Sequence, residues 1–131
     1  MSYRWVEHTA ELEMEIEAPT EEVVFADALL ALAELLGDAG RGASVCREIA
    51  IGGRERAALL VEWLDELVYI AETEDLMPEG AVRIGLSDDG LVATARFRSG
   101  SPRHLIKAAT YHWLAFQPSG HGFRATVVLD V

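Results

Sequence analysis

The chain has 131 residues, half of them apolar and a quarter charged, with one cysteine and a formal net charge of −11 at pH 7. That length suits one domain that buries a core without staples, and the composition excludes a disordered chain and an intrachain disulfide framework. The acidity argues against simple binding to a nucleic-acid backbone, so no stable direct nucleic-acid contact is expected, because phosphates need a positive surface.

Glu11 to Glu17 alternates acids with Leu12, Met14 and Ile16, a period of two that predicts a half-buried strand with its acids on a solvated face. Pro19-Thr20-Glu21-Glu22 opens a helix, with Thr20 as N-cap and the two glutamates at the positive end of the dipole. Val23, Val24, Asp27, Leu30, Ala31, Leu35 and their neighbours carry it to Gly37, a C-terminal stop. Ser44 to Ile51 fits a second strand, ended by a turn at Gly52-Gly53. Arg54 to about Thr73 gives the strongest helical segment, with Leu60, Leu64, Leu67 and Val68 on one stripe, and Pro78 and Gly80 end that region. Val82 to Leu86 and Leu91 to Phe97 read as short strands around a hairpin turn at Asp88-Asp89-Gly90.

Local rules divide over the next segment. Ser101-Pro102 has the form of an N-cap followed by Pro at the first helical position, which would make Leu105 to Phe116 a helix. Alternation would make it a strand, with Ile106, Ala108, Thr110, His112, Leu114 and Phe116 on one face and Lys107, Ala109, Tyr111 and Trp113 on the other. Phe123 to Val131 is rich in β-formers, and a turn at Pro118-Ser119-Gly120 would pair it with the strand before it. No internal repeat, low-complexity tract or linker divides the chain, so a single domain over residues 1–131 is expected.

The longest apolar stretches are interrupted by Glu or Asp before membrane-spanning length, and the N-terminus lacks the pattern of a signal peptide, so a cytoplasmic protein without membrane contact is expected. Cys46, with no Cys or His metal partner nearby, is expected to be a buried small hydrophobe. Charge is uneven along the chain. Residues 1–79 carry nineteen acids and five arginines, whereas residues 80–131 carry three acids and six bases. Such polarity could steer the domain towards a basic surface, although acids gathered on the outer faces of two helices would produce it too. A nucleophile elbow, a phosphate-binding loop, a dinucleotide fingerprint and a paired His-Glu zinc motif are all missing from the sequence, and its four histidines lack metal-ligand spacing. The chain is therefore read as something other than a stand-alone enzyme.

Two features stand apart. Lys107 is the one lysine among eleven Lys and Arg residues. A compact ammonium at that position is not replaceable by a planar guanidinium, although composition alone favours a solvated lysine that happens to be alone. At the other feature, Asp130 precedes Val131, so a side-chain carboxylate and an α-carboxylate lie one residue apart and repel unless a cation or donor sits between them. If the first strand pairs near the last, Glu11 brings a third oxygen to the same place, and such an all-oxygen set suits Ca²⁺, Mg²⁺ or Mn²⁺. Spacing by itself leaves Glu11 on a solvated strand face and Asp130 at a frayed end.

Four blocks, Trp5-Val6-Glu7-His8-Thr9-Ala10-Glu11, Leu59-Leu60-Val61-Glu62-Trp63-Leu64-Asp65-Glu66-Leu67, Lys107-Ala108-Ala109-Thr110-Tyr111-His112 and Leu129-Asp130-Val131, occur in the order and rough spacing of the archease family. The chain resembles that family over essentially its whole length. The resemblance implies an α+β fold, a single domain with a mixed β-sheet carrying two helices, and hence a strand rather than a helix over Leu105 to Phe116. It also implies an accessory protein of an RtcB-type RNA ligase, acting in tRNA splicing and RNA repair by promoting guanylylation of the ligase. Residue by residue it implies metal ligation by Glu11, Asp130 and Val131, with Ca²⁺ the first choice of cation, and a functional lysine at Lys107. Glu11 departs from the family's usual Asp, and the connection from Phe97 to Lys107 lacks the longer charged loop common in relatives. A chaperone-like partner of an RNA-modifying enzyme such as a tRNA methyltransferase is the alternative, and a small metal-dependent hydrolase ranks last.

Overall fold

A computed structural model describes residues 2–8, 11–37, 40–104 and 106–131, Glu7 and His8 by backbone alone. Thr9 and Ala10 of the first block, and Leu105 at the head of the ambiguous segment, lie outside the described residues. The elements run β1 (Ser2–His8), β2 (Glu11–Ala18), α1 (Glu21–Leu36), β3 (Arg41–Gly52), α2 (Arg56–Glu74), β4 (Leu76–Ser87), β5 (Gly90–Ser99), β6 (Ala108–Ser119) and β7 (Gly122–Asp130).

Local chemistry sets most of these boundaries. Thr20 caps α1 by accepting the Val23 N–H at 3.2 Å. Gly37 ends the helix at φ 86°, its N–H returning to the Ala33 carbonyl at 3.2 Å, a left-handed turn that glycine enters without penalty. The side chain of Glu55 caps α2 by accepting from Ala57 and Ala58, and Asp75 closes that helix in the left-handed region. Pro78 and Gly80 do not end a region as expected. They lie inside β4, at register shifts against β5 that absorb the proline's missing donor. That extends the hairpin around Asp88-Asp89 well beyond the two short strands the sequence suggests.

The α+β class with two helices holds, but the strands form two antiparallel sheets and not one mixed sheet. Their orders are β1-β2-β7-β6 and β3-β5-β4. The helix α1, almost wholly apolar after its first turn, packs against strands of both sheets, which is how a helix that is hydrophobic nearly all round finds cover. In β2, Met14 and Ile16 face this core while Glu15 and Glu17 pair outward with Arg4 and Arg124. In β5, Leu91, Ala93, Ala95 and Phe97 point inward. Cys46 is exposed, contrary to expectation. It lies on an edge strand opposite Arg96, in the outward register of that sheet. No helix among the described residues is long and apolar enough to cross a membrane.

Asp27 is a charged residue within the α1 core, 4% exposed, whose carboxylate accepts the Ser2 N–H while Oδ2 has no partner among the described protein atoms. Burial pushes its pKa above the ordinary carboxylate value, and the Ser2 bond opposes this only in part. The native state therefore holds the proton more tightly than the unfolded chain does. Asp27's contribution to stability is greatest below the ordinary carboxylate range and falls as pH rises to the raised native value. Asp27→Asn is expected to remove that slope and, at neutral pH, to leave stability unchanged or raise it by roughly 1 kcal/mol. Melting temperatures between about pH 4 and about pH 8 check this. The variant's relative stability should improve towards neutral pH, and parallel curves would contradict the account.

Candidate functional site

The four-stranded sheet gathers the expected site residues at one end. The β1–β2 hairpin closes with His8 opposite Glu11, and in the next ladder Glu11 stands opposite Asp130. On the other side of β7, Asp130 pairs with Ala108, and the Lys107 N–H donates to the Asp130 carbonyl at 2.8 Å. The condition set by the sequence, that the strand bearing Glu11 pairs with the last one, is met. Directly opposed residues in an antiparallel pair project to the same face with Cβ atoms about 5 Å apart, and like charges so placed repel. Glu11 and Asp130 thus form a carboxylate pair at the sheet end, with Val131 the next residue.

Among the described residues no group of three or more His, Cys, Asp and Glu side chains is disposed to hold a metal. The two carboxylates would need a main-chain oxygen, such as that of Val131, to complete a set. The donors present are all hard oxygens, which fits Ca²⁺, Mg²⁺ or Mn²⁺ and does not fit a thiophilic metal.

Lys107 is exposed, immediately before β6, and among the described residues its ammonium makes no ion pair. The backbone at Lys107 and just after it is held by two bonds. Besides the bond to Asp130, the Ala109 N–H donates to Oδ1 of Asp65 on α2 at 2.8 Å. Burial raises the Asp65 pKa, the Ala109 donor lowers it and the nearby Glu62 charge raises it further. Sequence reasoning assigned Asp65 no role. Asp65 borders the Leu60, Leu64, Leu67, Val68 stripe, the position from which a helix side chain meets a neighbouring strand, but Glu72 borders it too, so no local signal singled Asp65 out.

The strand expected over Leu105 to Phe116 begins only at Ala108, and its alternation is broken by a register shift between Thr110 and Ala115. Ala109 is consequently buried while Tyr111 and Trp113, expected on the same face, are exposed. Pro118 and Ser119 belong to β6, and the turn falls at Gly120-His121.

A two-helix α+β domain with this antiparallel topology is shared by solved proteins. The solution structure of protein 1598 of Methanobacterium thermoautotrophicum superposes with a TM-score of 0.74 at 27% identity, covering 98% of both chains. The crystal structure of a Thermotoga maritima protein described as an archease, possible chaperone (TM1083), gives 0.68 at 26% identity, covering 96% of this chain and 94% of that one. Protein archease of Methanosarcina acetivorans is 28% identical over 139 residues, 98% of this chain and 95% of that protein. Protein archease of Methanothermobacter thermautotrophicus is 33% identical over 118 residues, 84% of each. The model of the Archease protein family (MTH1598/TM1083) matches residues 3–131, and the chain belongs to that family.

Proposed function

We propose that this chain is an accessory protein of an RtcB-type RNA ligase, acting in the cytoplasm in tRNA splicing and RNA repair, and that it promotes guanylylation of the ligase. The observation that carries the reading is that the β2–β7–β6 register brings the Lys107 backbone beside Asp130, at the same end of the sheet as the Glu11–Asp130 pair. In guanylylation a ligase histidine nitrogen bonds to the α-phosphorus of GTP while the bond to the β-phosphate bridging oxygen breaks, and pyrophosphate leaves with the charge. The Lys107 ammonium, held out on a doubly fixed backbone, is suited to stabilise that polyphosphate charge. Glu11, Asp130 and Val131 would hold a divalent cation, which when bound supplies further positive charge near phosphate oxygens. The exposed lone thiol of Cys46 is in keeping with a reducing compartment.

The test is GMP transfer from GTP to a cognate ligase with this chain substoichiometric, so that each copy must act repeatedly. Faster transfer supports the reading. Solubilisation of the ligase without faster transfer would favour the chaperone-like alternative, which the description of the Thermotoga maritima relative suggests. For the cation, Asp130→Asn and Glu11→Gln are each expected to weaken binding about tenfold or more, roughly 1.4 kcal/mol, in calorimetric titrations with Ca²⁺, Mg²⁺ and Mn²⁺. Unchanged affinity in both variants would remove the carboxylate pair from the site.

A further inference from the structure

Four residues of β6, Tyr111 to Leu114, stand against the single residue Val127 of β7, between the pairs Thr110–Val128 and Ala115–Thr126. The chain therefore bulges out of the sheet at its edge. Trp113 takes a φ of 55°, a left-handed conformation that a bulky side chain enters only at an energetic penalty. The protrusion is braced: the His112 N–H donates to Thr110 Oγ1 at 3.3 Å, and the His112 ring meets Trp113 edge-on, 4.5 Å between centroids. Strain spent in this way presents two aromatic side chains to water, Tyr111 64% and Trp113 63% exposed. Aromatic residues on a rigid support are the side chains that most often anchor protein interfaces.

The surroundings select the partner. The bond from Ala109 to Asp65 fixes the base of the bulge to α2. Trp113 lies four residues beyond Ala109, at most about 13 Å along an extended strand. Tyr69, 60% exposed, lies one helical turn beyond Asp65, about 6 Å along the axis. Glu62 and Glu72 are exposed and, three residues from Asp65 and from Tyr69 respectively, share the helix face that Asp65 turns to Ala109, an acidic face that would repel RNA phosphates and favour a basic surface. An enzyme that binds both RNA and GTP must be basic around its active site, since both ligands are polyanions.

We infer that the Tyr111-His112-Trp113 bulge, with the acidic face of α2 beside it, is the docking element that seats this chain on the basic rim of the ligase active site and brings Lys107 to it. The inference rests on the ligase reading above. Its test is a titration of GMP-transfer rate against accessory-protein concentration, together with binding to the immobilised ligase, for wild type, Tyr111→Ala, Trp113→Ala and Trp113→Phe. Each alanine variant should keep the wild-type melting temperature and maximal rate while raising the half-maximal concentration and the Kd about tenfold or more. Trp113→Phe should recover most of the affinity. If Trp113→Ala fails to fold, Tyr111→Ala decides. Unchanged half-maximal concentration and Kd, or a lowered maximal rate at unchanged Kd, would overturn the docking role while leaving the ligase reading in place. A wild type that neither binds nor stimulates the ligase would end both. Sedimentation showing a dimer that Trp113→Ala dissolves, or single-stranded RNA binding that this variant abolishes, would give the patch another occupant and overturn the inference.

Discussion

Trp63→Ala is expected to lower the unfolding free energy by about 3–5 kcal/mol, the largest loss of stability from any single substitution considered. Trp63 is wholly buried on α2, and its indole N–H donates to the Phe25 carbonyl of α1 at 3.0 Å. Phe25 in turn meets Phe116 of β6 at 5.9 Å between centroids, and Phe116 meets Phe123 of β7 at 6.2 Å. Trp63 thus joins the two helices, and the Phe25 ring carries the contact on to the sheet that bears Glu11, Lys107 and Asp130. Alanine leaves a cavity that two helices and a sheet cannot close together, and removes the indole donor as well. Trp63→Phe retains most of the ring volume and loses only the donor, so it should cost about 1–2 kcal/mol. Denaturant unfolding of both variants separates the two effects. A loss under about 1 kcal/mol for alanine would mean that the core collapses around the site, which close packing does not allow.

The parts of the fold that were legible in the sequence are those fixed by neighbours in the chain. Thr20 and Gly37 mark their helix ends because capping needs only the adjacent turn, and the inward and outward residues of β2 and β5 follow from the pleat alone. What could not be read depends on distant partners. The division into two sheets follows from pairings such as β2 with β7, and the exposure of Cys46 follows from its place on an edge strand facing Arg96. Strand β1 escaped notice because its apolar residues, Trp5 and Val6, are adjacent and break the alternation. The break at Tyr111 to Leu114 is a mismatch against one residue of β7, which no local rule anticipates.

The candidate site divides in the same way. Asp130 beside Val131 is visible as a local concentration of oxygens, but the arrival of Glu11 opposite Asp130 requires the antiparallel register of strands from the two ends of the sequence. Lys107 was conspicuous for its rarity, yet its support, the carboxylate of Asp65 on Ala109, comes from a helix packed across it. Resemblance to a family named the residues. The sheet brings Glu11, Asp130 and the Lys107 backbone to one end.

On the ligase reading, Lys107 acts outward, on a partner, and not inward on the fold. Its side chain is exposed and makes no ion pair among the described residues, so Lys107→Ala should fold as the wild type does. The same variant should lose most of its stimulation of the ligase, since a charge positioned at a phosphoryl-transfer site is worth orders of magnitude in rate. Lys107→Arg should rescue poorly, because a planar fork delivers its charge in a different geometry from a compact ammonium. The most direct measurement is GMP transfer to a cognate ligase by substoichiometric wild type, Lys107→Ala and Lys107→Arg, with the melting temperature of each determined alongside. An unchanged melting temperature with stimulation lost in the alanine variant and weak in the arginine variant is the predicted result. Stimulation at the wild-type level by both variants would contradict it.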